Sequence, residues 1–274
     1  MKITFLGGGN MANALIGGLR RQGFSAAGIQ VVDPVEATCA TLTETYGVRC
    51  VQAVDAAVLN CEVLILAVKP QIMREALRPI SGQLKDQLVI SIAAGLRMDV
   101  LARWLGGGTP YRKIVRTMPN TPALISAGIT GLCADASVDK EARDAAEKIL
   151  SAVGRTLWVD DEAKMDAVTA ISGSGPGYVF YFIEALEKAA LELGFDAPTA
   201  RLFAVETFLG SAKLAESSPD PVSLLRERVT SKGGTTAAAL DSFARDGIVD
   251  AILRGVQAAE ARGKELCELL GAGD

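Results

Sequence analysis

The feature that most constrains the fold is a glycine-rich segment that directly follows a short apolar run near the amino terminus. Residues 3–6 read Ile-Thr-Phe-Leu and residues 7–12 read Gly-Gly-Gly-Asn-Met-Ala, which matches G-x-G-x-x-[GA]. The first glycine permits a tight turn, the second lets the backbone approach a pyrophosphate, and the small last residue lets a helix pack close to the sheet. The helix N-terminus stabilises the negative charge of the pyrophosphate. The residues predicted to bind a dinucleotide are Gly7, Gly9, Asn10, Met11 and Ala12.

The first half of the chain alternates between short β-branched runs and helical patterns. Strands are predicted at 3–6, 30–32, 63–68, 88–93 and 114–117, with helices between them at 12–21, 36–46, 72–80 and 98–104. Strands that are apolar throughout and separated by helices indicate a parallel sheet covered on both faces. A strand, a helix and a strand at 128–133, 139–152 and 155–159 are expected to complete this domain.

The pattern changes near residue 160, where strand patterns stop. Helices are predicted at 162–171, from 179 after an interruption at 172–177, and at 200–215, 222–229, 237–245 and 248–270. We therefore predict an α/β fold, with a doubly wound, Rossmann-like dinucleotide-binding domain over 1–160 and an all-α domain over 161–274. Large apolar side chains surround most of the helix at 179–183, which predicts either an ordinary core helix or a helix buried between subunits.

Composition excludes several classes of function. The net charge is −4 and no basic block stands out, so neither nucleic acid nor a membrane surface is expected as a partner. No signal peptide or membrane-spanning segment is expected. The absence of histidine excludes Ser-His-Asp hydrolysis, a His-ligated metal site and a dehydrogenase that relies on His as its acid-base group, and no metal is expected. Five scattered cysteines without a C-x-x-C pattern predict free thiols in the cytoplasm rather than a disulfide framework.

Four further segments are predicted to lie at the carboxyl ends of strands, where a doubly wound sheet binds its ligand. Asp33, about 20 residues past the glycine loop, fits a ligand of the adenosine ribose hydroxyls. It also fits the N-cap of a helix that starts at Pro34. Lys69 fits either a contact to cofactor phosphate or ribose or a solvated loop lysine, and Asn120 is a candidate donor to the nicotinamide. These segments add Asp33, Ala67, Val68, Lys69, Pro70, Ala94, Gly95 and Asn120 to the predicted cofactor site.

A second glycine-rich segment precedes a helix predicted to begin at Ala237. Residues 229–236 read Val-Thr-Ser-Lys-Gly-Gly-Thr-Thr. Two glycines and two threonines at a helix start offer backbone N–H groups and hydroxyls that suit a small carboxylate. The same residues also fit a glycine turn with a threonine N-cap, and taken alone the pattern favours that structural interpretation.

Five motifs together resemble a known family. They are GGGNMA at 7–12, AVKP at 67–70, MPNTP at 118–122, SGSGPGY at 172–178 and VTSKGGTT at 229–236. In order and spacing, over nearly the whole chain, they resemble the pyrroline-5-carboxylate reductases. The resemblance implies a Rossmann domain followed by a helical domain that interlocks with a second copy in a homodimer, and some members assemble into decamers. It implies cytoplasmic reduction of Δ1-pyrroline-5-carboxylate to L-proline by NADPH or NADH, the final step of proline biosynthesis.

The resemblance also implies roles for individual residues. Gly234, Thr235 and Thr236 would present N–H groups to the substrate carboxylate, and the Thr236 hydroxyl, the catalytic candidate, would bond the ring nitrogen. This loop would complete a site whose cofactor lies on the other subunit, and residues 172–176 would form the floor beneath the substrate. The implied substrate-binding residues are Ser172, Gly173, Ser174, Gly175, Pro176, Ser231, Gly233, Gly234, Thr235 and Thr236.

Two positions depart from the family pattern. Lys232 stands where the family often has proline, and Val54 stands where it often has an asparagine that contacts the ribose phosphate. With Asp33 nearby, Val54 leaves the choice between NADPH and NADH open.

Two other functions compete with this assignment. A β-hydroxyacid dehydrogenase shares the two-domain plan, but that family places a catalytic lysine on the helix that here follows Pro176, and this chain has no lysine there before Lys188. A catalytically silent NAD(P)-binding regulator would not need the intact substrate loop.

Overall fold

The computed structural model describes residues 1–272, which form two compact units. The first unit comprises residues 1–174 together with the chain from Ala259 onward, and the second comprises Gly175–Ala258. The units divide after Ser174, and the last helix begins in the second unit and ends in the first. The predicted helical domain extends to 274, and its residues 273 and 274 lie outside the described residues.

The first unit is built on an eight-stranded sheet. Its strands are β1 (Ile3–Leu6), β2 (Ile29–Val32), β3 (Arg49–Val51), β4 (Val63–Leu66), β5 (Leu88–Ser91), β6 (Ile114–Met118), β7 (Gly128–Ala134) and β8 (Gly154–Trp158). Their order is β3-β2-β1-β4-β5-β6-β7-β8. The first six run parallel to one another, in the order of a doubly wound dinucleotide-binding fold.

The last two strands differ from the expected parallel sheet. β7 pairs with β6 antiparallel, and β8 pairs with β7 parallel. Residues 119–127 join β6 to β7, and this connection contains only the short 3-10 helix Thr121–Ile125. A parallel crossover needs a dozen or more residues, so the chain can only return alongside β6 in the opposite direction.

Helices cover both faces of the sheet, as the apolar strands predict. They are α1 (Asn10–Arg21), α2 (Glu36–Tyr46), α3 (Pro70–Leu77), α4 (Met98–Gly106), α5 (Lys140–Leu150) and the short α6 (Met165–Val168). Successive residues of a strand point to opposite faces. Phe5 of β1 accordingly belongs to one apolar cluster with Leu15, while Leu6 belongs to the other with Met73 and Leu101. A sheet that is buried on both faces therefore needs strands that are mostly apolar on both faces.

The interruption predicted at 172–177 is not a loop at its start. Thr169–Gly173 forms a π-helical segment, in which the Ser174 N–H donates to the carbonyl of Thr169 at 2.8 Å. The glycines and serines therefore widen the helix by one residue instead of ending it. Segments of this kind are rare and are frequent at functional sites.

The second unit is helical. It contains α7 (Gly175–Glu192), α8 (Ala197–Ser217), α9 (Val222–Arg228), α10 (Thr235–Arg245) and the first part of α11 (Ile248–Gly271). All of α7 is described, and none of its residues is buried; Phe180 and Tyr181 are 63% and 69% exposed. It is therefore not a core helix of this chain, which favours the interpretation of a helix buried between subunits. None of the described helices is both long and apolar enough to cross a membrane.

The expectation of free thiols throughout was wrong. Cys39 of α2 and Cys50 of β3 form a disulfide, with their Cα atoms 5.1 Å apart, whereas Cys61, Cys133 and Cys267 are free. The chain turns at Gly47 between α2 and β3, and this turn brings the two positions within the distance that a disulfide spans. The scattered spacing of the cysteines along the sequence gives no sign of this pairing.

Close packing of α1 provides a test of this fold. A Cβ atom on Gly18 would lie 2.5 Å from the carbonyl oxygen of Ala152, a backbone atom that cannot readily move. Gly18→Ala should therefore lower the free energy of unfolding by roughly 1–3 kcal/mol, measured by urea denaturation.

The matched control is Gly17→Ala in the same helix. Its Cβ would meet the Tyr46 hydroxyl at 3.0 Å, and a side-chain end can give way. The expected change is below about 1 kcal/mol, because alanine also favours the helix. An equal loss in the two variants would contradict the close contact between α1 and Ala152.

Candidate active site

The glycine loop has the conformation that a dinucleotide requires. Gly7 has a φ of +103°, and a Cβ there would lie 2.8 Å from the carbonyl carbon of Ala67. Gly9 is the N-cap of α1, where no side chain caps the helix and a Cβ would have no atom within 4 Å. The first N–H groups of α1 therefore face open space, which fits a pyrophosphate.

A cavity of about 270 Å³ lies beside this loop. It is lined by Gly8, Gly9, Asn10, Asn13, Ala37, Thr38, Thr41 and Leu42. The side chains from α2 were not predicted as site residues. The spacing of Thr38 and Thr41, three residues apart on one helix face, is the sequence signal that could have identified them.

Asp33 connects the end of β2 to the glycine loop. Its Oδ2 accepts the Gly8 N–H at 2.8 Å, and its Oδ1 accepts the Val35 N–H at 2.9 Å. α2 begins at Glu36 with Val35 as its N-cap, so Asp33 is not the cap of a helix that starts at Pro34. Each carboxylate oxygen has a second lone pair, so Asp33 can still accept a bond from a ribose hydroxyl.

The segments after β4 and β5 lie at the same edge of the sheet. Ala67 and Val68 lead to Lys69, which is exposed at the N-cap of α3, with Pro70 as the first helical residue. Ala94 is half-buried, and Gly95 is buried with a φ of +73°. Val54 packs against the apolar cluster on one face of the sheet and has no polar atom in its side chain for a ribose phosphate.

Asn120 connects the end of β6 to two neighbouring segments. Its Nδ2 donates to the carbonyl of Ser172 at 3.1 Å, and its Oδ1 accepts the Ile129 N–H at 3.0 Å. Gly173 packs close by, because a Cβ there would lie 2.5 Å from Cε of Met118. The structure therefore brings the segment after β6 together with the predicted substrate floor. The remaining amide N–H of Asn120 is the one that could serve the nicotinamide.

A buried cluster of charges lies just before this segment. Arg116 of β6 is 3% exposed, with Nη1 at 3.2 Å from Glu162 and Nη2 at 3.1 Å from Asp166. Burial opposes the charged form of Arg116, but Cys267, Glu162 and Asp166 together raise its pKa. Burial also raises the pKa of the Cys267 thiol. This cluster was not predicted, because Arg116 lies within a run that predicts only an apolar strand.

The other glycine-rich segment belongs to the second unit. α10 begins at Thr235, two residues before the predicted start, and its N-cap is Gly234 without a side-chain cap bond. The threonine hydroxyls are therefore not used as caps, which favours the binding interpretation. The Gly234 N–H donates to the carbonyl of Ser231 at 3.0 Å, and Gly233 has a φ of +74°. The N–H groups of Thr235 and Thr236 lie in the first turn, where a helix provides no acceptor.

Comparison with known families matches the two parts of the chain separately. The model of the pyrroline-5-carboxylate reductase dimerisation family matches residues 162–266. The family described as NADP oxidoreductase, coenzyme F420-dependent, matches residues 2–95.

Whole-chain relatives are also similar. The pyrroline-5-carboxylate reductase of Pseudomonas aeruginosa is 44% identical over 98% of this chain and 98% of its own. That of Escherichia coli is 37% identical over 92% and 93%. The solved pyrroline-5-carboxylate reductase of Coxiella burnetii superposes with a TM-score of 0.90 at 38% identity, over 97% of this chain and 98% of its own. The Plasmodium falciparum pyrroline carboxylate reductase with NADP bound gives 0.86 at 28% identity, over the same shares.

The position of Asp33 generates a prediction about cofactor choice. Its negative charge beside the glycine loop should disfavour a 2′-phosphate by on the order of 1–2 kcal/mol. Asp33→Asn and Asp33→Ser both remove this charge. In both variants, the ratio of the dissociation constants of NADPH and NADH should shift about tenfold toward NADPH, as measured by fluorescence titration.

The two variants separate the charge from the hydrogen bonds. Asparagine keeps one acceptor oxygen for the Gly8 or Val35 N–H, so it should weaken both cofactors less than serine does. If the ratio stays at the wild-type value in both variants, or if the wild type already favours NADPH by about a hundredfold, Asp33 acts only on the loop.

Proposed function

The chain belongs to the pyrroline-5-carboxylate reductase family, and from this premise we propose which of its residues carry the reaction. The enzyme reduces Δ1-pyrroline-5-carboxylate to L-proline with NAD(P)H, the final step of proline biosynthesis. The observation that carries this function is near-full-length similarity to reductases of that substrate. It favours this function over the β-hydroxyacid dehydrogenase and the silent regulator.

The reaction requires positioning more than proton transfer. The cyclic imine is protonated near neutral pH, so its carbon is already an electrophile. When bound, the nicotinamide would supply a hydride; as that carbon accepts it, the π electrons of the C=N bond move to the nitrogen, which keeps its proton as proline forms. The protein must hold two rings in register and bind a carboxylate. A chain without histidine can do both.

We assign the cofactor to the first unit. Gly7 permits the tight turn against Ala67, Gly9 leaves room for the pyrophosphate, and the cavity lined by Thr38 and Thr41 suits the adenosine half. The segments 67–70 and 94–95 and the free N–H of Asn120 then serve the nicotinamide half. This assignment follows the rule that ligands of open α/β sheets bind at the carboxyl ends of the strands.

We assign the substrate to residues 172–176 and to the loop before α10. The N–H groups of Thr235 and Thr236 bind the carboxylate, and the helix dipole contributes about 0.3–1 kcal/mol. The Thr236 hydroxyl bonds the ring nitrogen and so orients the imine. The Gly234 N–H already has an acceptor in Ser231, so its part in carboxylate binding requires either a shared hydrogen bond or a change in the turn.

We propose that the active form is a homodimer with interlocked helical domains. The match to a dimerisation family over 162–266 supports residues 161–274 as the dimerisation and substrate-binding domain, with 1–160 binding the dinucleotide. An apolar cavity of about 360 Å³, lined among others by Tyr181, Phe182 and Ile252, offers a place for a second copy. A decamer of such dimers is the larger assembly that the family suggests. Dependence on NAD(P)H, which cells keep inside, supports a cytoplasmic location.

Thr236 gives the test of the catalytic assignment. Wild-type protein should oxidise NADPH or NADH when given Δ1-pyrroline-5-carboxylate. Thr236→Ala should lower kcat/KM for the imine ten- to a hundredfold, roughly 1–3 kcal/mol of transition-state stabilisation, with cofactor affinity nearly unchanged. Thr236→Ser keeps the hydroxyl and should retain most of the activity. Wild-type kinetics in Thr236→Ala would remove the hydroxyl from the mechanism.

If the substrate loop of one subunit completes the site that holds its partner's cofactor, two impaired variants should complement each other. Gly7→Ala should prevent cofactor binding, and Thr236→Ala should impair the substrate loop. A heterodimer of the two has one site in which both parts are intact. Co-expression with two tags, followed by tandem purification, should give heterodimers with about half of wild-type activity per dimer.

Light scattering at low micromolar concentration provides the control, since each variant alone should be at least a dimer. Purified heterodimers no more active than Thr236→Ala alone would show that each site lies within a single chain. A stable, active monomer would contradict the interface as well.

A further inference from the structure

We infer that Arg116 is a positioning residue for hydride transfer, through a buried cluster that ties together the segments on both sides of the reacting rings. This inference rests on the proposed function. Arg116 is 3% exposed, and its guanidinium pairs with Glu162 and Asp166. Its partners come from three other parts of the first unit, and each of these leads to a segment of the candidate site.

The first partner leads to the loop after β5. The Nη1 atom of Arg116 lies 3.2 Å from Oε1 of Glu162, and the same oxygen accepts the N–H of Met98 at 2.7 Å. Met98 is the first residue of α4, and it directly follows the loop that contains Ala94 and Gly95. Glu162 thus fixes the far end of the loop assigned to the nicotinamide half of the cofactor.

The second partner leads to the substrate floor. The Nη2 atom of Arg116 lies 3.1 Å from Oδ1 of Asp166, whose side chain is 6% exposed. Asp166 lies on α6, which continues into the π-helical segment Thr169–Gly173. From the other direction, β6 runs from Arg116 to Asn120, whose amide holds the carbonyl of Ser172. The floor is therefore held at two points, by Arg116 in β6 and by Asn120 just after it.

The third partner leads back to the nicotinamide loop from the C-terminal helix. Cys267 of α11 lies 3.8 Å from Nη2 of Arg116 and 3.4 Å from Oδ1 of Asp166. Its neighbours on α11 cover Gly95, since a Cβ there would lie 3.2 Å from Cδ1 of Leu270 and 3.5 Å from Cβ of Leu266. The cluster thus fixes both the start of α4 and the helix that packs on the loop before it.

The choice of arginine fits this role. A guanidinium is planar and always charged, and it donates in fixed directions to two carboxyl groups at once. A buried ion pair contributes little net stability compared with apolar residues of similar volume, and its best-attested use is to select one arrangement. Misplacing reacting groups by about 1 Å can cost on the order of a hundredfold in rate.

The test compares Arg116→Lys with Arg103→Lys, the same change at the surface of α4. Steady-state rates are measured with cofactor carrying hydrogen or deuterium at the transferred position. In Arg116→Lys, kcat should fall about 10- to 100-fold and the primary isotope effect on kcat should rise, because hydride transfer becomes rate-limiting, while the KM for cofactor stays within about threefold. Arg103→Lys should match the wild type.

A loss of folded protein alone would lower kcat without changing the isotope effect, because the remaining molecules would be normal. The inference is overturned if Arg116→Lys shows a lower kcat with an unchanged isotope effect, or if its kcat equals that of the wild type. The double variant Arg116→Met/Asp166→Leu removes both charges of the Arg116–Asp166 pair. Compared with Arg116→Lys, it should have a higher Tm but an equally low kcat. Recovery of both would show that Arg116 serves only the fold. A wild type that does not reduce the imine would instead refute the proposed function.

Discussion

The parallel pairing of β1 with both β2 and β4 is the constraint on which the candidate site depends. Because the three strands run in one direction, their carboxyl ends meet at one edge. The pairing continues past the strand ends, where the Gly7 N–H donates to Val32 and the Ala67 N–H donates to Leu6, both at 2.8 Å. These bonds bring Gly7 against the backbone of Ala67, where no Cβ fits. Strand pairing thus fixes the backbone of the dinucleotide loop, and the glycine motif is the sequence that this backbone permits.

The sequence predicted the strands whose burial leaves a clear apolar pattern. It did not predict the features that depend on contacts between distant segments. The strands in the middle of the sheet are continuous apolar runs, and their predicted positions agree with the structure to within about two residues. β3 was missed because a three-residue strand at the sheet edge, with Arg49 exposed, has no such run. The direction of β7 depends on the short connection before it, and the disulfide depends on how α2 packs against β3. Neither property belongs to one segment alone.

In the candidate site, too, the sequence identified some residues but not the contacts that they make. The glycines and the polar residues at strand ends could be identified from the sequence, because the chemistry of a dinucleotide site requires them. What Asp33 and Asn120 bind could not be predicted. A carboxylate or amide at a strand end can accept a ligand or satisfy the backbone of a neighbouring loop, and both side chains do the latter here. Arg116 shows the limit most clearly, because its partners are separated from it by 46 to 151 residues.

The chemistry of the substrate explains why buried charges can serve the structure of this enzyme. An imine that arrives protonated needs no proton from the protein during hydride transfer, so no side chain has to change its charge in the catalytic cycle. Groups whose charge stays fixed near neutral pH are then an advantage. The pKa of Arg116 is raised by its neighbours, and that of Cys267 is raised by burial, so one stays charged and the other stays a neutral thiol. Neither of these two groups therefore has to gain or lose a proton for the hydride transfer to proceed.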